Sequence, residues 1–140
     1  MKTFPGEFLN VDLDLKSRAD PAALIQALGN RVLTVHYGRS ASRHWLRFNV
    51  SIQPRTPTEA IRSFAKLINA LPSPARRIWS AASKEVDIGI QAGSEKGSGE
   101  WVLDAGTVKT LAVLGTAVRV TIYSPLLLID ERTPRKRRLK

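Results

Sequence analysis

The chain contains no cysteine. That excludes disulfides, thiol nucleophiles and cysteine-ligated zinc. No apolar run approaches the roughly 18 residues a membrane span needs; the longest is "YSPLLLID". The opening "MKTFPGEFLNVDLDL" lacks the apolar stretch of a secretory signal, so none is expected. There is no Gly-Lys-Ser/Thr phosphate loop, and no Gly-x-Gly-x-x-Gly after a strand, so a nucleotide cofactor is not expected. Only two histidines are present, His36 and His44. They flank a turn without a third ligand nearby, and Ser40 and Ser42 beside them lack the context that activates a nucleophile. The expectation is of polar turn residues, with no catalytic residue, no metal and no cofactor.

What is present is a basic chain of 140 residues with a net charge of +10. The last ten residues, "ERTPRKRRLK", carry +5 of it. The charge therefore marks a basic tail over residues 131–140, behind a moderately basic single domain over residues 1–130. Like charges beyond Pro134 repel one another. Such an arm attracts phosphates without reading base sequence, and the attraction falls steeply with salt. Arg132, Arg135, Lys136, Arg137 and Arg138 are the candidate nucleic-acid contacts.

Hydrophobic periodicity sets the fold class. In "FLNVDLDL", Leu9, Val11, Leu13 and Leu15 alternate with Asn10, Asp12 and Asp14, the pattern of a half-buried strand. "DPAALIQALG" opens with a capping Asp20 and Pro21 and closes on Gly29, predicting a helix. "VLTVHY" and "HWLRFNVSI" are strands, the second turning Leu46, Phe48, Val50 and Ile52 inward. Thr56, Pro57 and Glu59 form a capping box ahead of Ile61, Phe64, Ile68 and Leu71 at helical spacing. A short helix starts at Ser73–Pro74 and runs through Trp79. "EVDIGIQA" is a strand with Val86, Ile88 and Ile90 inward, and "GSEKGSGE" is a loop. "DAGTVKTLAVLG" is a helix from Asp104 to Gly115, and "AVRVTIY" a last strand with Val118, Val120 and Ile122 inward.

The order β-α-β-β-α-α-β-α-β, with strands apolar on one side only, predicts an α+β fold. It has a largely antiparallel sheet of about five strands with helices on one face, related to the split β-α-β (ferredoxin-like) arrangement.

The uncovered face then displays Asn10, Asp12, Asp14, Thr34, His36, Trp45, Arg47, Asn49, Glu85, Asp87, Gln91, Arg119, Thr121 and Tyr123. Asp12 and Asp14 emerge on one side about 7 Å apart. With Asp87 or Glu85 from another strand, and His36, they suit a divalent metal or acid–base hydrolysis, or else serve as a solvated, Arg-paired surface. An aromatic stacking platform for RNA lacks its Gly-aromatic motif, since Phe48 faces the core, and the acids repel phosphate. A mixed-charge face with Trp, Tyr and Arg suits a protein partner, with Asp12, Asp14, Trp45, Arg47, Asp87, Arg119 and Tyr123 as contacts. A homodimer through an exposed edge strand or the "LLLI" segment is a further expectation.

The stretches "RADPAALIQALG" and "WVLDAGTVKTLAVLGTAVRVTIY" resemble a family of small bacterial domains of unknown function, over most of residues 8–123. The resemblance carries fold-forming positions and no catalytic residues. Similar small α+β proteins include immunity proteins that block a toxin partner. It implies a cytoplasmic bacterial binding module, immunity-like or regulatory, without enzymatic activity.

Overall fold

The computed structural model describes residues 6–94 and 99–125. Five strands and four helices follow one another along it. They are β1 (Glu7–Ser17), α1 (Ala22–Leu28), β2 (Val32–Ser40), β3 (Arg43–Val50), α2 (Pro57–Asn69), α3 (Ser73–Ala81), β4 (Ser83–Gln91), α4 (Ala105–Leu114) and β5 (Ala117–Tyr123). The sheet order is β2-β3-β1-β4-β5. All neighbours are antiparallel except β4 and β5, which run parallel. The first four strands thus form the split β-α-β core, with β1 at its centre, and α4-β5 extends it at one edge. No helix among the described residues is long and apolar enough to cross a membrane.

Local chemistry accounts for the helix ends. The Asp20 carboxylate accepts from Ala22 N–H at 2.9 Å. Gly29 ends α1 at φ 57° and leads into a single 3-10 turn. Thr56 accepts from Glu59 N–H at 3.1 Å, while the Glu59 carboxylate reaches back one residue further, to Arg55 N–H. Asp104 caps α4 through Thr107 N–H at 2.8 Å, and Gly115 closes it in the left-handed region.

The core lies between the sheet and the helices. Val11, Leu13 and Leu15 of β1, Leu46 and Phe48 of β3, and Val86 and Ile88 of β4 pack against Leu24 and Leu28 of α1 and Ile61, Phe64 and Ile68 of α2. Phe48 and Phe64 meet edge to face at 5.8 Å between centroids.

Two bulges alter the expected sides. A register shift between Phe8 and Asn10 pairs Phe8 with Ile90, so Phe8 joins the core in place of Leu9. A second, between Thr34 and His36, pairs Thr34 with core-facing Phe48 and His36 with outward Arg47. Thr34 therefore leaves the open face and Leu33, opposite Asn49, joins it. A slip of one residue exchanges every side, and no local sequence signal marks either bulge. Ile52 lies beyond the end of β3 and is exposed rather than inward.

The inward row of β5 is also a correction. Val118, Val120 and Ile122 are in register with Val86, Ile88 and Ile90, on the helix side. Yet they are 46%, 53% and 66% exposed. The cause is the placement of α4, which packs on α2 and leaves β5 without a cover among the described residues. Residues 95–98 of the "GSEKGSGE" loop lie outside the described residues, as do Leu126–Ile129 and the basic tail with Arg132, Arg135, Lys136, Arg137 and Arg138.

Candidate functional site on the open sheet face

Outward positions of β1, β3, β4 and β5 converge on the face opposite the helices. Register places Asp12 opposite Asp87, and Asp14 opposite both Arg47 and Glu85. Arg119 stands beside Asp87 across the parallel pair. Like charges directly opposite each other repel, so the Asp12–Asp87 pair needs a cation.

Arg47 supplies it. Its Nε and Nη2 donate to Asp12 Oδ2 at 3.1 and 2.9 Å. Nη1 donates to both Asp14 oxygens, at 3.2 and 3.0 Å. Nη2 also donates to Asp87 Oδ2 at 2.9 Å. Asn49 Nδ2 donates to Asp12 Oδ1 at 3.1 Å, and Thr121 Oγ1 donates to Asp87 Oδ1 at 2.7 Å. Arg119 pairs with Glu85 and approaches Asp14 at 3.7 Å. A planar guanidinium with five donors can serve three carboxylates at once, which a lysine ammonium cannot.

Two acids of the network are buried although no helix covers them among the described residues. Asp12 is 8% and Asp87 5% exposed. Burial acts against the charged form of Arg47, but hydrogen bonds to Asp87 and Asp12 and the nearby Asp14 outweigh it and raise its pKa above the ordinary guanidinium value. For Asp14 the balance goes the other way: burial pushes its pKa up despite attraction to Arg47 and Arg119.

Arg47 stands among Asp12, Asp14 and Asp87, where the metal-hydrolase expectation places a divalent ion. The three acids serve as counter-ions to it. Among the described residues no group of three or more His, Asp or Glu side chains is arranged to hold a metal.

At one end of this network is a shallow cleft of about 360 Å³, lined by Asp14, Lys16, His36, Trp45, Glu85 and Arg119. Trp45 stacks on His36 with ring centroids 5.9 Å apart and planes at 18°, and is 38% exposed. Gly38 lies opposite Trp45 in the β2–β3 pairing, and a Cβ there would stand 3.0 Å from Trp45 Cε3. The missing side chain leaves the indole room to lie down over β2.

The structure brings Asp12, Asp14, Arg47, Asp87 and Arg119 into one network and seats Trp45 beside it. Tyr123 is not part of it. It pairs with Gln91 at the far end of β5, while Trp45 sits near the start of β4 through Lys16 and Ser83. The two aromatics occupy opposite corners of the face. The histidines are strand residues, not turn residues, because β2 and β3 continue to Ser40 and Arg43 around Ala41–Ser42. His44 faces the helix side, buried, with Tyr37 Oη 3.3 Å from its Nδ1. Alternation with Leu46 and Phe48 was the available sign of that placement. Lys16 was missed as a cleft residue, although it continues the Asn10-Asp12-Asp14 row.

Comparison with protein-family models, with curated proteins and with solved structures finds no match.

Proposed function

We propose that this chain is a non-enzymatic protein-binding module whose partner docks over the cleft end of the open face. One observation carries the reading. From β3, Arg47 ties the acids of β1 and β4 into a paired, hydrogen-bonded floor, beside which the Trp45–His36 stack and Arg119 stay accessible. A surface whose ion pairs form before docking costs less to desolvate and order than one that must pair its charges during docking. Tryptophan and arginine are the usual anchors of such interfaces. The resemblance to small bacterial domains extends the proposal to an immunity-like or regulatory role in a bacterial cytoplasm.

The test is capture from lysate of the native host by four immobilised forms: wild type, Trp45→Ala, Arg119→Glu and a chain ending at residue 131. Wild type and the shortened chain should retain the same protein, and both face variants should lose it. Retention of nucleic acid instead, abolished by the truncation and by added salt, replaces this reading with phosphate binding through Arg132, Arg135, Lys136, Arg137 and Arg138. The tail's charge of +5 is what favours that second reading.

A further inference from the structure

We propose that β5 pairs with β5 of a second copy of this chain, antiparallel about a two-fold axis at Val120. Such pairing joins the two sheets into one of ten strands. The inference is independent of the partner-binding reading, since it uses the outer edge and the helix side of β5.

Among the described residues β5 is an edge strand, with β4 on one side only. Unpaired strand edges invite pairing, and proteins guard them with lysine, proline, bulges or a covering element. β5, "AVRVTIY", has none of the residue guards. Its pairing with β4 runs from Ala117 to Tyr123 without a register shift, so its outer edge is continuous. Its one charged residue, Arg119, is turned to Glu85, Asp14 and Asp87 of its own sheet. The opposite edge, β2, is interrupted by the bulge at Thr34/His36 and carries Arg39. Of the two edges, only β5 is left open among the described residues.

The strand is complementary to itself about Val120. Val120 meets its own copy, Val118 meets Ile122, Arg119 meets Thr121, and Ala117 meets Tyr123. Facing residues share a side of the sheet. The apolar row Val118, Val120, Ile122 therefore continues into the same row of the second copy on the helix side. On the other side, Arg119 faces a threonine rather than another arginine. No like charges oppose each other. The row now exposed at 46%, 53% and 66% loses water from both copies.

The absence of native cysteine makes a sharp test possible. Directly opposed Cα atoms in an antiparallel pair lie about 4.5–5.5 Å apart, within reach of a disulfide. Under mild oxidation Val120→Cys should crosslink to itself, giving a species of twice 15.5 kDa. Val118→Cys alone should not, because its copy lies roughly 13 Å away along the strand. Val118→Cys with Ile122→Cys should crosslink again. Sedimentation of wild type should show a dimer that Val120→Lys dissociates and Val35→Lys on β2 leaves intact, with the wild-type melting temperature falling toward that of Val120→Lys on dilution. The proposal is overturned by a wild-type monomer at every concentration up to hundreds of micromolar. It is equally overturned if Val118→Cys and Val120→Cys crosslink alike, or if Val120→Lys lowers the melting temperature without changing the mass; that last result assigns the strand's cover to the chain's own residues.

Discussion

Asp12 and Asp87 face each other across β1 and β4, and Arg47 Nη2 lies 2.9 Å from an oxygen of each. Two nearly buried acids at the centre of a sheet are tolerable only with that guanidinium between them. Breaking a buried pair by removing one partner costs about 3–5 kcal/mol, because the other charge is left stranded. Arg47→Met should therefore lower unfolding free energy by about that amount in urea titration. Arg47→Lys should recover only part, since one ammonium cannot serve Asp12, Asp14 and Asp87 together. A loss below about 1 kcal/mol for Arg47→Met, the range of exposed pairs, would show the network to be solvated surface.

Asp14 behaves differently because burial raises its pKa despite Arg47 and Arg119. A carboxyl whose folded pKa exceeds its unfolded value favours folding below the unfolded pKa of about 3.9 and loses that contribution as pH rises through the folded value. Asp14→Asn lacks this loss. Its stability relative to wild type should thus climb between about pH 3 and pH 7. Paired denaturation curves across that range check the sign; a difference that falls with pH contradicts the assignment.

Gly38 makes room for Trp45. A methyl at 3.0 Å from Cε3 must shift the half-exposed indole by a few tenths of an ångström against His36, and the atoms nearest to it are those two rings. Gly38→Ala should shift the Trp45 indole N–H resonance and weaken partner capture, with only a small change in melting temperature. An unmoved resonance would mean the ring does not lie over β2.

Ala41 holds φ at 37° in the two-residue turn between β2 and β3. A left-handed conformation costs a residue with a Cβ roughly 1–2 kcal/mol. Glycine adopts it freely but gives up more entropy on folding. The balance should leave Ala41→Gly more stable by up to about 1 kcal/mol in chemical denaturation. A destabilised variant would place the strain elsewhere.

Much of this molecule was legible because its signals are local. Thr56 and Glu59, Asp104 and Gly115 announce helix ends through contacts a few residues away. The Asn10-Asp12-Asp14 row and the Trp45-Arg47-Asn49 row read outward through the period of two. Thr34, Leu9 and Ile52 did not read correctly, because a bulge or a strand end inverts the alternation and neither has a composition of its own. His36 and His44 looked like turn residues because the turn is only Ala41–Ser42 and the strands run up to it.

Sequence alone determined which elements form and which side of β1, β3 and β4 is apolar, since caps, helical spacing and alternation act over a few residues. Tertiary structure alone decided the rest. Arg47 meets Asp12 and Asp87, 35 and 40 positions away, through strand order and register. The row Val118, Val120, Ile122 is exposed because α4 packs on α2, leaving β5 without a cover among the described residues. The physical reason is the same in both cases: alternation says that a side chain leaves the strand on one side, but what waits there is set by distant segments whose packing no local pattern encodes.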